Sequence, residues 1–236
     1  MRRALPVLLP LLAALLLTLA TPGDAAAALG KRQVAAYQRT LNHLGCDAGR
    51  PDGRIDAHVR AAVTRFQTRF GLTKNGHFDT RTRRALGVRT ARCSWRPVPA
   101  RSGHGRRIVV GQWQDWVWLV RADGSIAAQG GMTDNPKVLH KGTYATGSYC
   151  GRAARIRRNT DVSGRLWLPY FVRFAPCGIG FHQIPLSKST GRRIHADWLL
   201  GTDQRSSHGC NRVSHRLATR IWDFTAGRRR TTVVVR

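Results

Sequence analysis

The longest apolar segment of the chain lies at its amino end. Two arginines precede an apolar run from about residue 4 to residue 20, and small residues with Ala-x-Ala spacing follow it. Two prolines interrupt a run that is barely long enough to span a bilayer, which argues against a membrane anchor. The pattern predicts a secretory signal peptide over residues 1–28.

Residues 31–87 place apolar side chains at helical spacing, and glycines follow where the helices should end. Two stretches each present one apolar face, formed by Val34, Tyr37, Leu41 and Leu44 and then by Val59, Val63, Phe66 and Phe70. Gly45 and Gly71 occupy the positions of left-handed cap residues. The stretch GRIDAHVRAAV is echoed 23 residues later as GHFDTRTRRAL, with Asp56 and Asp79 placed to cap the helices that follow. We therefore predict a small helical module over residues 30–90.

The hydrophobic period changes to two after a segment without periodicity. Residues 91–105 contain prolines, glycines and basic residues, which is typical of a linker or an inter-domain strap. From Trp116 the apolar positions alternate, residues 122–125 predict a hairpin turn, and short strands continue. One helix is predicted over residues 216–224, and TTVVV closes the chain as a strand. The second domain, residues 106–236, is therefore mainly β, and the fold class is a multidomain α + β chain that begins with a small all-α module.

The chain is strongly basic, and its acidic residues are all of one kind. Lys and Arg number 40 against 12 acidic residues, the formal net charge is +28, and no Glu occurs. Two-glutamate glycosidase sites and His-Glu-x-x-His zinc sites are thereby excluded. For an exported chain the charge favours anionic wall polymers or lipid headgroups as partners, and not nucleic acid. The plain alternative is that the arginines only keep the surface soluble.

A candidate nucleophile lies in the stretch SSHGCNRV, residues 206–213. Cys210 follows a glycine that permits a turn in which backbone N–H groups converge on an oxyanion. A thiol needs a base or a positive charge nearby to react at neutral pH. The candidate bases are His182, His195, His208 and His215. The tripeptide His-Gly-Cys alone is a weak signal, and a buried or disulfide-bonded Cys210 is the alternative.

The helical segment carries the motifs LNHLGCDAGRPDGRI, AVTRFQTRFGL and KNGHFDTRTRRAL. In these motifs it resembles the three-helix peptidoglycan-binding module found beside many bacterial wall enzymes. The family usually has Thr where this chain has Val59, and Asp where it has Asn75. The resemblance implies binding to peptidoglycan, with a purely structural spacer as the alternative.

Three motifs of the second domain occur in the order CGIGFHQIP, LGTDQRSSHGCNRV and RIWDFTAGRRRTTVVV. Together they resemble the catalytic domain of the L,D-transpeptidases, cysteine enzymes that cross-link or modify peptidoglycan. The resemblance extends from about residue 106 to residue 236. It implies that Cys210 is the nucleophile and His182 the base. It also implies that the oxyanion and substrate contacts come from Ser207, His208, Gly209 and Arg212.

Two departures from that family lie between the implied base and the implied nucleophile. Gln183 stands where Gly or Ser is common, although a backbone carbonyl can still orient the imidazole. The segment PLSKSTGRRIHADWLLGTDQRS lengthens the separation of His182 from Cys210, and we expect it to form a loop over the cleft. The segment bears on substrate choice more than on mechanism.

The family chemistry implies a substrate and a set of partners. Cys210 would attack the carbonyl between the L- and D-centres of a tetrapeptide stem, release D-alanine, and pass the acyl group from a thioester to an amine or to water. Neither a metal nor an organic cofactor is required, and carbapenem-type inhibitors are expected to acylate the thiol. A guanidinium can hold a carboxylate through two hydrogen bonds, so Arg212 suits an acidic peptide. The expected location is the cell wall or the periplasmic space.

Two other functions compete with this interpretation. In a zinc-dependent wall peptidase the three protein ligands would be His182, Asp197 and either His208 or His215. Their spacing matches no tight ligand motif, and Cys210 has no role there. A non-enzymatic wall-binding protein would keep the module and the basic surface without needing a free thiol.

The cysteine count predicts two disulfides and one free thiol. The chain has 5 cysteines, and an exported chain with an odd count leaves one unpaired. The other four, at positions 46, 93, 150 and 177, allow three pairings. Cys46 follows the first predicted helix and Cys93 the third, so a Cys46–Cys93 bridge would staple the module. Cys150 and Cys177 both precede the implied base, so a Cys150–Cys177 bridge would fix the strand that leads to it and would leave Cys210 free.

Overall fold

The computed structural model describes residues 29–236, with the exception of the Cys177 side chain. The signal peptide predicted over residues 1–28 lies outside the described residues. One partner of the predicted Cys150–Cys177 bridge lies outside them as well. Both features remain predictions.

Within residues 29–236, three helices form the amino-terminal module, as predicted. They are α1 (Lys31–His43), α2 (Ala57–Phe70) and α3 (Thr80–Val88). The carboxylates of Asp56 and Asp79 accept hydrogen bonds from the N–H groups of Val59 at 2.9 Å and Thr82 at 2.7 Å. These bonds satisfy donors that every helix start leaves open, so both predicted caps are confirmed. Gly71 ends α2 in the left-handed region, with φ of 67°.

The module has a hydrophobic core of its own and a covalent link. Leu41, Val63 and Phe66 are completely buried at its centre, on the faces that the helical spacing predicts. A disulfide joins Cys46, just after α1, to Cys93, beyond α3. The predicted Cys46–Cys93 bridge thus closes the core where the chain leaves the module.

In the part of the chain that the structure describes, the second domain is built on a ten-stranded mixed sheet. In chain order the strands are β1 (Arg107–Gly111), β2 (Trp116–Val120), β3 (Ile126–Thr133), β4 (Gly142–Ala145), β5 (Arg155–Thr160), β6 (Leu166–Arg173), β7 (Gly180–Gln183), β8 (Leu186–Ser187), β9 (Asn211–Val213) and β10 (Thr232–Val235). The order across the sheet is β4-β10-β1-β2-β3-β9-β7-β6-β5, and β8 pairs with β6. The pairs β1–β10 and β7–β9 are parallel. The mainly β second domain is thereby confirmed.

Helix α4 (His215–Phe224) covers one face of the sheet at the position where the sequence predicts a helix. Its apolar side chains Leu217 and Ile221 pack with Phe174 and Phe181 in the main core. Two 3-10 turns are present: Pro176–Gly178 precedes β7, and Asp197–Leu199 lies between β8 and β9. Among the described residues no helix is long and apolar enough to cross a bilayer.

The parallel pairing of β7 with β9 positions the implied catalytic residues. Phe181 lies opposite Asn211, and His182 lies opposite Arg212. Because side chains alternate along a strand, Phe181 enters the main core while His182 projects from the other face. Cys210 immediately precedes β9, so two residues far apart in the sequence reach adjacent strands.

Strand β2 is buried on both faces, which its alternating pattern alone does not predict. One face carries Val117 and Leu119 in the main core, and the other carries Trp116 and Trp118 in a second cluster. The second face lies against Arg96, which is buried, and whose guanidinium stacks on the Trp116 indole at 4.1 Å. Trp118 Nε1 donates to the Arg96 carbonyl oxygen at 3.0 Å. The segment of residues 91–105 is therefore a strap packed on the sheet, one of the two alternatives that its composition left open.

The module is docked on the second domain through α2. Arg65 is buried, and its Nη1 donates to the carbonyl oxygens of Trp198 and Leu200. Its Nε donates within the module to the Cys46 carbonyl oxygen at 2.8 Å. His58 of α2 stacks on the Trp198 ring at 4.9 Å. The segment that separates the implied base from the implied nucleophile is thus held by the module.

Candidate active site

Cys210 carries a free thiol that is held by a glycine turn. Its Sγ donates to the carbonyl oxygen of Gly178 at 3.3 Å. Burial raises the pKa of the thiol, while the Gly180 N–H, Arg212 and Arg173 favour the thiolate and act in the opposite direction. The resting group is therefore a protonated thiol at neutral pH, and it needs a base before it can attack.

His182 of β7 has the properties of a neutral base. Its Nδ1 lies 2.6 Å from the carbonyl oxygen of Gln183, which can only accept, so Nδ1 carries the proton and Nε2 is left as an acceptor. Burial, assisted by the nearby charge of Arg212, lowers the pKa of the imidazole to about 4. Phe171 stacks on the ring with the centroids 5.9 Å apart. At neutral pH the ring is uncharged and able to take a proton.

The Gln183 departure leaves the orientation of the base intact, because the carbonyl that fixes the imidazole belongs to the backbone. The Gln183 side chain makes a different contact, in which its Oε1 lies 2.7 Å from Nδ1 of His215 at the start of α4. His215 is therefore engaged by Gln183, and it does not line the cavity that contains Cys210. His195 lines, together with His215 and Arg192, another cavity that does not include Cys210.

The SSHGC loop is fixed by the segment that follows β3. The Ser207 N–H donates to the Asp134 carbonyl oxygen at 3.0 Å, and Asn135 Nδ2 donates to the Ser207 carbonyl oxygen at 2.9 Å. The Gly209 N–H donates to Ser207 Oγ at 2.9 Å, so this implied oxyanion donor is engaged within the loop. Gly209 has φ of 127°, and a Cβ there would lie 2.9 Å from Val138 Cγ1. The turn therefore requires glycine.

A cavity of about 660 Å³ brings the implied site residues together. Five of the six line it, namely His182, Ser207, His208, Cys210 and Arg212. Gly209 lies between two of them in the chain. Pro185 and Ile194 belong to the segment expected to form a loop over the cleft, and they line the same cavity. That segment therefore contributes a wall of the cavity, while its far part rests on α2.

The cavity is strongly positive. Four arginines line it, at positions 152, 165, 173 and 212, against one acidic side chain among its lining residues, Asp161. The carboxylate of Asp161 accepts from Ser163 Oγ and from the Leu166 N–H at 2.8 Å, so it is committed to its own turn. A concave site with this charge attracts an anionic ligand.

Two residues of the cavity wall, Phe171 and Arg173 of β6, were missed by reasoning from the sequence. They are two residues apart and project from the same face of the strand. The alternation in LPYFVRF indicates this arrangement, because Val172 and Phe174 enter the main core and the residues between them face the other side. The sequence did not reveal the pairing of β6 with β7, which sets Arg173 opposite Gly180, in a wall of the cavity from which its charge acts on Cys210.

The ligand set of the alternative zinc site is not assembled. Asp197 is paired with the Arg193 guanidinium. His215 contacts Gln183, whereas His182 projects into the cavity. Across residues 29–236, no group of three or more His, Cys, Asp or Glu side chains could hold a metal ion.

Comparison with known proteins supports the identity of the amino-terminal module. A protein-family model described as a putative peptidoglycan binding domain matches residues 31–86, which covers nearly all of α1 to α3. The resemblance of this segment to the peptidoglycan-binding module is thereby confirmed. The chain has no match among curated proteins.

The chain has distant similarity to several solved structures. The chain is similar to the L,D-transpeptidase (residues 123-326) from Xylanimonas cellulosilytica DSM 15894, with 21% identity, a TM-score of 0.46, and coverage of 86% of this chain and 92% of that chain. It is similar to the L,D-transpeptidase (Yku) from Stackebrandtia nassauensis, with 21% identity, a TM-score of 0.41, and coverage of 86% and 89%. It is also similar to a fused Zn-dependent amidase/peptidase/peptidoglycan-binding domain-containing protein from Clostridium acetobutylicum ATCC 824, with 15% identity, a TM-score of 0.39, and coverage of 87% and 95%. All three similarities are distant.

Proposed function

We propose that this protein is an exported cysteine L,D-transpeptidase that acts on the stem peptides of peptidoglycan. The observation that carries the proposal is the free thiol of Cys210 in the same positive cavity as a buried, neutral His182. These two residues occupy the positions that the SHGC and FHQIP motifs assign to nucleophile and base. The reaction is a transfer of an acyl group by way of a Cys210 thioester.

The first half-reaction forms the thioester. His182 Nε2 takes the thiol proton as Cys210 Sγ attacks the carbonyl between the L- and D-centres of the stem. A carbon–sulfur bond forms and the amide carbon–nitrogen bond breaks. The proton held by His182 passes to the leaving amino group, and D-alanine departs.

The second half-reaction resolves the thioester. An amine of a neighbouring stem, or a water molecule, attacks the thioester carbonyl and gives up a proton through His182. The carbon–sulfur bond breaks and Cys210 recovers its thiol. An amine acceptor yields a cross-link, and water yields a trimmed stem.

The electrostatics of the site favour a thiol and a neutral imidazole over a resting ion pair. Burial raises the pKa of Cys210 and lowers that of His182 to about 4. Proton transfer therefore accompanies the attack. Activity should fall on the acid side only as the pH approaches about 4, where His182 becomes protonated and can no longer accept.

The module and the disulfide support the proposed place of action. The family match over residues 31–86 suggests that the module holds the enzyme on peptidoglycan. The Cys46–Cys93 disulfide suits an oxidising compartment outside the cytoplasm. We therefore place the enzyme in the cell wall or the periplasmic space, where its basic surface also meets anionic wall polymers.

Incubation with purified muropeptides, read by mass spectrometry, tests the activity. The wild-type protein should release D-alanine from tetrapeptide stems and form cross-linked or trimmed products, and a carbapenem should add once per protein. Cys210→Ala should abolish both reactions. His182→Ala should slow acylation on the order of 10²- to 10⁴-fold, because a positioned base is lost, while the thiol stays open to alkylation.

His195→Ala is the matched control. It removes a histidine whose pKa is also lowered by burial, but which does not line the cavity of Cys210. Its activity should stay close to that of the wild type, and chelators should change nothing. A greater loss in His195→Ala than in His182→Ala would contradict the assignment of the base. Activity that survives in Cys210→Ala and disappears with a chelator would instead support a zinc peptidase.

A further inference from the structure

Arg173 of β6 is a completely buried arginine in the wall of the active-site cavity, with 0% of its surface exposed. Its guanidinium carbon lies 4.9 Å from the centroid of the Phe171 ring. The same ring stacks on His182. Strand pairing sets Arg173 opposite Gly180, two residues from Gly178, whose carbonyl accepts from the thiol of Cys210. The guanidinium is therefore close enough to Cys210 for its charge to favour the thiolate.

One part of this guanidinium is fixed and the rest has no acceptor. Its Nε donates to the carbonyl oxygen of Ala153 at 3.3 Å. Among the residues that the structure describes, none offers an acceptor to Nη1 or Nη2, although both atoms are buried. An arginine keeps its charge, and a buried charged donor without an acceptor is strongly unfavourable. The free edge of Arg173 thus indicates a ligand that supplies acceptors.

The shape and the charge of this edge define the ligand. Nη1 and Nη2 present a planar fork that matches the two oxygens of a carboxylate. Arg152 lies near enough to oppose the charge of Arg173, and its effect adds to that of burial in lowering the pKa of Arg173. Only an anion relieves this repulsion. Asp161 makes no hydrogen bond to Arg173 Nη1 or Nη2, and its oxygens accept instead from Ser163 and Leu166.

The depth of Arg173 in the cavity indicates which half of the donor lies near it. Arg212 is partly exposed, whereas Arg173 is completely buried. The leaving D-alanine must depart to solvent and the acceptor must enter from it, so the exposed side of the cavity serves both. The part of the donor that stays on the enzyme as a thioester occupies the buried side.

We propose that Arg173 binds a carboxylate on the acyl half of the donor stem, one that remains on the enzyme after D-alanine has left. A diamino dicarboxylic acid such as diaminopimelate carries such a group on its side chain, and lysine does not. Arg173 is then a specificity-determining residue that selects donors with a free carboxylate over donors in which it is amidated or missing. The inference rests on the proposed function, since it names the donor of that reaction.

The test compares three tetrapeptide donors that differ at one group of the diamino acid: a free side-chain carboxylate, its amide, and lysine. For the wild-type protein kcat/KM should be about 10- to 100-fold higher for the free acid, mainly through KM, as the loss of a charged hydrogen bond predicts. Arg173→Met should remove this preference, and Arg173→Lys, which keeps the charge without the fork, should retain part of it. Arg157→Met is the matched control, since Arg157 is an exposed arginine of the neighbouring strand that does not line the cavity.

A role in stabilising the thiolate predicts a different pattern. The charge of Arg173 favours the thiolate of Cys210, so Arg173→Met should also raise the pKa of the thiol, seen as an upward shift in the pH profile of iodoacetamide alkylation. That change slows all three donors equally. A loss that is equal for the three donors would overturn the carboxylate proposal, whereas an additional loss confined to the free acid supports it.

A binding measurement separates this proposal from the proposed function. The three stems are titrated calorimetrically into Cys210→Ala, which cannot turn them over. Cys210→Ala should bind the free-acid stem more tightly than the other two stems. This preference should disappear in the double variant Cys210→Ala/Arg173→Met and shrink in Cys210→Ala/Arg173→Lys. That pattern supports the carboxylate site even if the wild-type protein shows no transfer. Equal affinities for the three stems reject the carboxylate site even if transfer is observed. Should the Met variants fail to fold, the Lys variants decide the comparison.

Discussion

Two regions of the molecule bury arginines and use them differently. Where the module meets the second domain, Arg65 and Arg96 donate from every guanidinium nitrogen to carbonyl or hydroxyl oxygens. In the cavity, Arg173 donates from Nε alone and leaves Nη1 and Nη2 without acceptors among the described residues. Burying a charge is tolerated where hydrogen bonds replace those to water. The first pair is therefore part of the fold, and the third arginine is placed for a ligand.

The docked region is the contact between the module and the second domain around Arg65 and Arg96. Both the module and the second domain supply hydrogen-bond acceptors to it. Arg96 Nε donates to Cys93 at 3.3 Å, and its Nη1 donates to the carbonyl oxygen of Gln114 at 3.1 Å. Its Nη2 donates to the carbonyl oxygen of Arg65 at 3.1 Å, so the two arginines are linked. Removing one guanidinium here strands several buried acceptors at once. We therefore expect substitutions in this region to act on stability and those in the cavity to act on binding.

Arg96→Met should have the largest effect on stability. It removes the guanidinium that donates to the carbonyl oxygens of Cys93 and Gln114 and to Thr68 Oγ1, and it removes the stack on Trp116. We expect the free energy of unfolding in urea to fall by about 3–5 kcal/mol. Arg84→Met, on the exposed face of α3, is the control and should change it by less than about 0.5 kcal/mol. Similar values for the two variants would mean that the buried bonds contribute nothing.

Loss of the Cys46–Cys93 disulfide should have the next largest effect. The bridge closes a sequence separation of 47 residues in the module. The double variant Cys46→Ala/Cys93→Ala should lose about 2–4 kcal/mol of unfolding free energy in the same urea titration. Its acylation by a carbapenem under native conditions should be unchanged, since the bridge lies away from the cavity. A slower acylation in the folded variant would show that the two regions are coupled.

Asp115→Asn tests a charge that the docked region keeps paired. Burial, with Asp134 and Asp203 nearby, raises the pKa of Asp115 to about 7, although Lys74 Nζ lies 2.6 Å from its Oδ2 and opposes the shift. The raised pKa means that the folded state binds the proton more tightly than the unfolded state. This carboxyl therefore lowers stability as the pH rises from about 4 to about 7.

Asn at position 115 cannot ionise, and it tolerates the φ of 49° found there. The free energy of unfolding of the variant should equal that of the wild type near pH 4 and exceed it at pH 7.5 by on the order of 1 kcal/mol. The gain is limited because the variant also loses the ion pair with Lys74. Urea titrations at the two pH values measure this difference. A wild type that gains stability over the same interval would show that the Lys74 ion pair outweighs the burial of Asp115.

Arg173→Met should have the smallest effect on stability. The substitution gives up one hydrogen bond, to Ala153, and removes a buried charge whose other donors have no partner. The two changes oppose each other, so the unfolding free energy should change by less than about 1 kcal/mol, with a rise expected because an unpartnered buried charge is removed. A loss as large as that of Arg96→Met would make Arg173 a structural residue and would end the distinction between the two regions.

Much of the fold and the main residues of the site were predictable from the sequence. The caps at Asp56 and Asp79, the helical spacing and the alternation after Trp116 are local patterns, and local patterns determine secondary structure when they agree. The cavity also contains His182 and Cys210, as the motifs imply. The Asp134 carbonyl that fixes Ser207 was not predictable, because a backbone contact between distant segments leaves no mark on residue type.

The sequence by itself predicted the helices of the module, the β character of the second domain and the Cys46–Cys93 bridge, and its motifs pointed to Cys210 as the free thiol. It does not distinguish one arginine from another, because hydrophobic periodicity predicts every arginine to lie at the surface. Only the tertiary structure decided that Arg65 and Arg96 meet a full set of acceptors while Arg173 does not. The physical reason is that the cost of a buried charge depends on the oxygens around it, and those oxygens come from segments that only the folded chain brings together.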